Sequence, residues 1–387
     1  MKLKQLAEDF IVDEIFDLKQ LEDKDEGSNK KYYYFKLTKK DYAQIRALEI
    51  VARTFNTSKK LVHFAGNKDK VGITSQIISV RGIKESNYEK NLEYFNSKFK
   101  DMKLEFLGIY NSRINLGDNI GNKFKIVVRD LDDESIQNAK TNIEIIQNKG
   151  LLNLFDDQRF GYANNSHIVG KYALQNNLEN SVYTILTSLP QDPSQELQIF
   201  VDFIKDNWEN IKKQDVQTID EAISLAPKYL DKEKQILKHL KKHLNDYFGA
   251  FRTIHKKLRT MYVNAYQSYI FNETLNELKR QNLLEKYESI PLISYDVELD
   301  KTLSNIIQEF LDRDNISIDD FNFPSMPELK APSVNKYVLL HPKNLNINEA
   351  KEDELNEGKK KVEIQFELSK GSYATHVIKQ IFSNSLE

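Results

Sequence analysis

The segment His63–Val80, HFAGNKDKVGITSQIISV, is the stretch from which the organisation of this chain can be predicted. Apolar runs at Leu61–Phe64 and Gln76–Val80 are typical of two strands. The residues between them, Gly66-Asn67-Lys68-Asp69-Lys70, favour a tight loop, because glycine adopts positive φ without strain and asparagine and aspartate favour turns. Asp69 is therefore predicted to lie at the rim of a sheet, flanked by two lysines, where a carboxylate can serve as a nucleophile or general base. An ordinary surface turn with a solvated aspartate is the alternative.

The composition limits the classes of protein that the sequence can encode. Its 387 residues exceed the usual size of a single core, so one large or two modest domains are expected. The hydrophobic content of 40%, with 21 Phe and 19 Tyr, is enough for a sizeable core. Cysteine is absent, which excludes disulfides, thiolate metal sites and a cysteine nucleophile. A net charge of −2 argues against a strongly basic nucleic-acid binder but leaves room for a basic face.

The N-terminus and the hydropathy pattern indicate no targeting or membrane segment. MKLKQLAEDF lacks the apolar core of a signal peptide. No apolar run approaches the roughly 18 residues that a membrane span needs. We therefore expect a soluble, cytoplasmic protein.

Regular patterns predict strands and helices in the first part of the chain and again near its C-terminus. The predicted strands are Lys4–Leu18, Lys31–Leu37, Leu104–Tyr110, Lys123–Val128 and Val362–Leu368. The predicted helices are Asp41–Phe55, with Asp41 as N-cap, Ser135–Asn148, with Gly150 after its end, and Ser369–Phe382. From Asn164 to about Gln281 the periodicity is helical, with almost no strand-like alternation.

The central segment resembles a family signature. AGNKDKVGITSQ is similar to AGxKDxxAxTxQ, which is typical of the TruD family of tRNA pseudouridine synthases, and Gly72 stands where that family usually has alanine. The resemblance implies that Asp69 is the catalytic aspartate. The matching residues are Ala65, Gly66, Lys68, Asp69, Thr74 and Gln76.

Other motifs carry the resemblance across nearly the whole chain. EDFIVDE, GNKF and GSYAT match family motifs in the family's order. They imply that Phe10 contacts the substrate, with Lys4 near the site, and that Asn122 contacts the substrate while Phe124 lines the pocket. Tyr373 is implied to stack on or pack against the target nucleoside. Without the family match, the aromatic residues would be interpreted as core and Asn122 as part of a turn.

The middle of the chain carries further family motifs, with departures. NLFDDQRFG resembles NYFGxQRFG, but Asp156 replaces a glycine, so the local turn is expected to differ. Val334-Asn335-Lys336 stands where the family often has Gly-Arg-Arg, and no role of those arginines can be transferred. Asp231–Thr260 is rich in lysine and predicts either a solvated helix face or a contact with the tRNA backbone.

The fold that the resemblance implies is α+β. A mixed, largely antiparallel catalytic sheet with helices is expected from residues 1–150 and 340–387. A mostly helical insertion is expected from residues 151–339, with the tRNA cleft between the two domains.

The implied activity is isomerisation of a uridine in tRNA to pseudouridine, with uridine 13 of glutamate tRNA as the expected target. This chemistry requires no metal, nucleotide or redox cofactor, and tRNA is the only partner inferred. The target must leave the base stack, so aromatic and amide side chains are useful. Lys4 and Lys68 are expected to hold the charge of Asp69 or to meet a phosphate. Whether Asp69 attacks the ribose or removes a proton from it stays open.

Two other classes of protein remain as alternatives. One is an RNA-binding protein that has the fold without the catalysis, against which the Lys68-Asp69 pair argues. The other is a metal-dependent nuclease, which would require a carboxylate cluster or a group of histidines. Neither arrangement is present among the motifs described above.

Overall fold

The computed structural model describes residues 1–19, 30–330 and 332–383. The chain forms two compact units, which are Met1–Leu151 with Leu340–Glu387 (unit 1) and Leu152–Leu339 (unit 2). Unit 1 contains a large sheet, whereas unit 2 is mostly helical. In the described residues the strands are β1 Phe10–Ile15, β2 Tyr32–Lys40, β3 Val62–Phe64, β4 Ile73–Arg81, β5 Met102–Tyr110, β6 Gly121–Leu131, β7 Leu151–Leu152, β8 Ser289–Pro291, β9 Asn335–Tyr337, β10 Leu339–Leu340, β11 Lys343–Ile347, β12 Lys351–Glu352 and β13 Lys360–Ser369.

Both units contain α-helices, and in unit 2 they make up most of the regular structure. The α-helices of the described residues are α1 Gln44–Thr54, α2 Tyr88–Lys98, α3 Asp133–Lys149, α4 Ser166–Leu174, α5 Leu178–Leu186, α6 Gln195–Asp206, α7 Trp208–Lys212, α8 Val216–Leu225, α9 Asp231–Lys242, α10 Tyr247–Arg252, α11 Lys256–Arg280, α12 Lys301–Arg313 and α13 Ala374–Ile381.

The large sheet has the strand order β11-β13-β6-β1-β4-β2-β5, with β12 beside β13 and β3 beside β4. β1 and β4 are parallel, and the other paired strands of this sheet are antiparallel. The prediction of an α+β fold with a mixed, largely antiparallel sheet is therefore confirmed. The same edge of β4 pairs first with β1, at Ile73–Ser75, and then with β3, at Ile78–Val80.

The face of this sheet that carries the helices has two apolar clusters with a polar strip between them. One cluster joins β1, β6 and β13 to α3 and α13, and Phe10, Phe124 and Phe366 are among its members. The other joins β2, β4 and β5 to α1 and α2. Side chains of directly paired residues point to the same side of a sheet, so the register places Glu14, Asn122 and Thr74 on this face, in the strip.

The N-terminus of α1 corrects one prediction. The helix begins at Gln44 with Ala43 as its N-cap, so the prediction of Asp41 as N-cap is wrong. Asp41 has a φ of 56°, and its carboxylate accepts a hydrogen bond from the Gly72 amide at 2.9 Å. A polar residue before an apolar helical pattern is typical of a cap, but here a partner distant in sequence binds the side chain instead.

The first strand begins later than the sequence predicts, and here too a polar side chain binds a residue distant in sequence. Ala7–Asp9 form a single 3-10 turn, and β1 begins only at Phe10. Asp9 forms a buried ion pair with Arg129 of β6 at 2.9 Å. Arg129 also contacts Asp353 at 2.8 Å, so one guanidinium links the start of the chain to the segment after β12.

Unit 2 is built around a continuous helical core, and its motif side chains bind main chain within the unit. The Asn272 side chain donates to the Phe155 carbonyl at 3.0 Å and accepts from the Phe155 amide at 2.9 Å. The Gln267 amide donates to the Ile293 carbonyl at 2.6 Å. Asp156 has a φ of −78° and accepts a hydrogen bond from the Asp157 amide, so this turn does not require glycine.

Lys336 occupies one of the positions where the family often has arginine. Its ammonium lies 4.7 Å from the ring centre of Phe155 and 5.0 Å from that of Phe271, and it donates to the Asn153 carbonyl. Burial lowers the pKa of Lys336 to about 7. The side chain is therefore half-buried and packs against the aromatic rings of unit 2.

Candidate active site

The loop that carries Asp69 joins β3 to β4. Along one edge of β4, the pairing with β1 and the pairing with β3 are separated by a short gap. β1 leaves β4 after Ser75, and β3 begins to pair only at Ile78. The Ile77 amide lies in this gap, and it donates to the Glu14 carboxylate at 2.9 Å. A side chain from β1 thus replaces the missing main-chain acceptor, which a buried backbone amide requires.

Hydrogen bonds fix the main chain of the loop at several residues. The Ala65 carbonyl accepts from the Gly117 amide at 2.8 Å. The Gln44 side chain donates to the Gly66 carbonyl at 3.3 Å and accepts from the Lys68 amide. The loop ends at Gly72, where Asp41 makes the contact described above and also donates its amide to the Gly72 carbonyl at 3.0 Å. The backbone on both sides of Asp69 is therefore held before any substrate binds.

The backbone conformation at position 72 requires a glycine. Gly72 has a φ of +113°, and a Cβ atom there would lie 2.4 Å from the Phe10 carbonyl oxygen. Side chains other than that of glycine are strained in this backbone region. The departure from the family's alanine therefore accompanies a close approach of the loop to the first residue of β1.

The Asp69 side chain itself is open to solvent. It is 55% exposed, and one carboxylate oxygen lies 3.1 Å from the Lys4 ammonium. Lys4 has a φ of 56°, and its ammonium also lies 3.9 Å from the centre of the Phe10 ring. The Asp69 carboxylate is thus exposed on a loop whose main chain is hydrogen-bonded, with one cation next to it and one aromatic ring beside that cation.

Lys68 is not free for one of its two expected roles, which is contact with a phosphate. Its ammonium lies 2.6 Å from Glu14, and the two side chains are only 4% and 1% exposed. A lysine so enclosed cannot meet a phosphate. It connects the loop to β1 instead, through the same carboxylate that binds the Ile77 amide.

Lys39, which the sequence motifs do not single out, lies on the other side of the loop. It is 1% exposed, and its ammonium donates to the main-chain carbonyl of Asp69. Burial lowers the pKa of Lys39 to about 8, although the charges of Asp69 and Asp41 act in the opposite direction. Its position was predictable in principle, because alternation along β2 places it with Tyr33, Phe35 and Leu37 on the inner face.

Polar atoms without partners continue the strip beside the loop. The Thr74 hydroxyl, both amide atoms of Gln76 and the Asn122 side-chain oxygen are buried and have no hydrogen-bond partner among the described residues. Buried polar groups are rarely left in this state, so the strip can donate hydrogen bonds to water or a ligand as well as accept them. Thr74, Gln76 and Glu14 belong to stretches that match family motifs, whereas the positions of Lys39 and Gln44 beside the loop become apparent only in the fold.

The predicted pocket aromatics lie on the same face of the sheet. Phe10 and Phe124 are 3% and 7% exposed, and their ring centres are 6.4 Å apart. Phe124 also stacks on Phe366 at 5.4 Å. Tyr373 is the N-cap residue of α13, a helix that packs on the cluster containing Phe10 and Phe124. The structure therefore places Lys4, Phe10, Asn122 and Phe124 along one face, and it places Tyr373 at the start of a helix that covers that face.

Two further kinds of feature are absent from the described part of the chain. No group of three or more His, Asp or Glu side chains there is arranged to hold a metal ion. Among the same residues, no helix is long and apolar enough to cross a membrane.

Comparisons with known proteins agree with the resemblance. The sequence profile of the family "tRNA pseudouridine synthase D (TruD)" matches residues 1–289 and 284–381. The chain is 32% identical to "Probable tRNA pseudouridine synthase D 2" of Methanocaldococcus jannaschii, covering 99% of this chain and 92% of that protein. It is 30% identical to "Probable tRNA pseudouridine synthase D" of Nanoarchaeum equitans, covering 100% of both.

A solved structure extends this similarity to three dimensions. The crystal structure of a TruD protein from Methanosarcina mazei superposes with a TM-score of 0.78 at 29% identity, covering 98% of this chain and 93% of that chain. Profile, relatives and structure all extend over nearly the whole sequence, and the resemblance is confirmed. The chain belongs to the tRNA pseudouridine synthase D (TruD) family and is a pseudouridine synthase, an isomerase that acts on tRNA.

Proposed function

We propose that Asp69 is the carboxylate with which this protein converts a uridine of tRNA to pseudouridine. The observation that carries the proposal is the contrast between the Asp69 main chain, which is held from both sides, and its side chain, which is 55% exposed. Catalytic groups act best when their position is set in advance and they can still reach the substrate. Asp69 meets both conditions.

The reaction breaks the N-glycosidic bond, turns the uracil and rejoins it to the ribose through carbon 5, which releases the proton of that carbon. Asp69 has two possible roles in the first step. It either attacks the ribose as a nucleophile or removes a proton from it as a base. Both roles require a negatively charged carboxylate.

The neighbouring residues take supporting roles in this proposal. Lys4, which is already paired with Asp69, orients the carboxylate. Asn122 offers an amide for a base or ribose edge, because its side-chain oxygen has no partner within the described part of the protein. Phe10 and Phe124 form an apolar wall, and Tyr373 packs against the target nucleoside, which must leave the base stack.

We further propose that residues 1–150 and 340–387 form the catalytic domain and that the insertion 151–339 contributes to tRNA binding. In the lysine-rich Asp231–Thr260 segment, Lys238 and Lys242 are exposed and have no acidic partner within the described residues. Arg259, by contrast, is buried against Glu328 at 2.7 Å. Free surface cations can neutralise phosphates of the tRNA backbone.

The finer part of the proposal is that the target is uridine 13, notably of glutamate tRNA, and that the protein acts in the cytoplasm. Mapping of pseudouridine along the tRNA by a pseudouridine-specific chemical modification would test the site. Repeating the assay with a chelator separates this chemistry from that of a metal-dependent nuclease. A nuclease would cleave the tRNA, and the chelator would stop that cleavage.

Asp69→Asn tests the catalytic assignment. The substitution keeps size and shape but removes the charge and the nucleophilic oxygen, so we expect no detectable pseudouridine while tRNA affinity stays near that of the parent. Single-turnover assays with saturating enzyme isolate the chemical step from binding and release.

Asp13→Asn is the matched control, because Asp13 lies on β1, pairs with Lys36 at 3.3 Å and is 44% exposed. This variant should keep the parent rate. An Asp69→Asn protein that turns over near the parent rate would refute the catalytic assignment. A parent that binds tRNA but forms no pseudouridine would favour the RNA-binding alternative.

A further inference from the structure

Lys39 occupies a position that the pattern of β2 reserves for apolar residues. Alternate residues of a strand point to the same face, and Lys39 follows Tyr33, Phe35 and Leu37, which are buried in the apolar cluster of that face. Lys39 is equally buried, at 1% exposure. Thr74, its partner across the β2–β4 ladder, is also buried and has a hydroxyl without a partner among the described residues.

The ammonium group of Lys39 contacts the loop that carries Asp69. It donates to the main-chain carbonyl of Asp69, whereas the rest of the loop is already held by Gln44, Glu14 and Asp41. Burial of a cation opposes folding unless it is well paired. A methionine would fill a similar space without that cost, so stability alone does not account for a lysine here.

The charges around Lys39 come from the loop and from the end of its own strand. Asp69 and Asp41 face it with negative charge, and Lys68 faces it with positive charge. Glu14 neutralises Lys68 at 2.6 Å, and Lys4 lies on the exposed side of Asp69. Lys39 is therefore the cation that approaches Asp69 from inside the protein.

We propose that Lys39 is a positioning residue for the reaction, whose buried positive charge fixes the main chain at Asp69 and orients the Asp69 carboxylate towards the substrate. The inference rests on the proposed catalytic role of Asp69 and adds to it a residue that never touches the tRNA. It also makes the activity depend on whether Lys39 is protonated.

The pH dependence follows from the direction of the Lys39 shift. Burial lowers the pKa of Lys39 from 10.5 to about 8, so the ammonium is present below that pH and is lost above it. With a neutral amine at position 39, the carbonyl of Asp69 loses its charged donor and the carboxylate loses its inner cation. The rate of the chemical step should therefore fall as the pH rises through about 8.

The experiment compares single-turnover rate constants from about pH 6.5 to about pH 9, a range that spans the titration. Lys39→Met removes the charge and the donor at nearly constant volume. We expect a rate about 100-fold lower, the loss that a small misplacement of a catalytic group causes. We also expect loss of the basic limb of the pH profile, with tRNA affinity unchanged. Lys36→Met, on the other face of the same strand and 37% exposed, is the control and should keep the parent profile.

A second variant provides rescue and guards against a folding failure. The chain has no cysteine, so Lys39→Cys can be aminoethylated selectively in the unfolded state, where this buried position is accessible, and then refolded. The product carries an ammonium on a thioether side chain. Sulfur withdraws electrons and lowers the pKa of the new amine, so activity should return with its basic limb moved to lower pH. If Lys39→Met does not fold, the aminoethylated Lys39→Cys variant tests the proposal alone. A basic limb of its pH–rate profile at the same pH as in the parent would overturn the proposal.

The outcomes separate this inference from the proposed function. Lys39→Met with the parent rate and profile, beside an inactive Asp69→Asn, would overturn the role of Lys39 and leave Asp69 in place. An active Asp69→Asn would overturn both. A slow Lys39→Met without a basic limb, with an inactive Asp69→Asn, would support both.

Discussion

The ion pair between Glu14 and Lys68 predicts a large loss of stability from a single atom exchange, Glu14→Gln. The Glu14 carboxylate accepts from the Lys68 ammonium at 2.6 Å and from the Ile77 amide at 2.9 Å. A glutamine side chain has one acceptor oxygen and one donor NH₂ group. The two donors bind different oxygens of the carboxylate, and in glutamine one of these two positions is an NH₂ group, so a buried amide or a buried ammonium is left without an acceptor.

The magnitude follows from the burial of the pair. The two side chains are 1% and 4% exposed, so water cannot replace the missing partner. Removing one member of a buried ion pair costs about 3–5 kcal/mol. The double variant Glu14→Gln with Lys68→Met removes both charges and lets the introduced glutamine serve the Ile77 amide alone, so its loss should be much smaller than the sum of the single losses.

Urea unfolding of the parent, the two single variants and the double variant would measure these free energies. Far-UV circular dichroism follows both units, and it shows whether the transition has one step. Fluorescence adds a local probe, because the chain has one tryptophan, Trp208, which packs on Tyr183 in unit 2 at a ring distance of 5.0 Å. Unit 1 has no tryptophan, so a loss confined to unit 1 appears in the circular dichroism alone.

The matched control is the pair between Lys103 and Glu105, which has the same 2.6 Å distance but is 65% and 46% exposed. Glu105→Gln should cost less than about 1 kcal/mol, as exposed pairs do. A Glu14→Gln protein that loses no more stability than Glu105→Gln would refute the view that this buried pair holds the Asp69 loop to β1.

Two further predictions concern the substrate. Replacing both Lys238 and Lys242 with Gln should weaken binding of all tRNAs alike and reduce the salt slope of log K by about 2, roughly 0.9 for each phosphate that is no longer neutralised; an unchanged slope would make this helix an ordinary solvated face. Asn122→Ala should lower the single-turnover rate about tenfold, the value of one hydrogen bond, with tRNA affinity nearly unchanged because interactions with the phosphate backbone dominate binding. Equal losses in rate and affinity would contradict a role specific to the reacting nucleoside.

Much of unit 1 could be predicted from alternation and turn chemistry. The apolar alternation of Lys123–Val128 and Val362–Leu368 predicts strands, and the structure has β6 and β13 there, paired antiparallel. The Gly-Asn-Lys-Asp-Lys segment predicts a loop at the rim of the sheet, where Asp69 lies. These features depend on neighbours close in sequence, which a single sequence displays directly.

The rest depends on partners that are distant in sequence. Asp41 looks like a helix cap until Gly72, 31 residues away, is brought beside it. Lys68 looks like an exposed loop lysine until Glu14, 54 residues away, encloses it. In both cases a local preference is overridden by a long-range hydrogen bond, which is a tertiary effect that propensities do not contain.

Unit 1 is built from two separate segments of the chain, so its sheet is completed late in synthesis. β6 occupies the middle of the sheet, and its neighbour on one side, β13, lies more than two hundred residues later in the chain. Because synthesis runs from the N-terminus, the ribosome must make all of Leu152–Leu339 before that edge of β6 can be covered. During this interval β6 presents an unpaired edge, which is a template for association with other chains, whereas all residues of unit 2 come from one contiguous segment. The Asp69 loop is thus synthesised early, while the sheet on which it rests is completed only by one of the final strands to leave the ribosome.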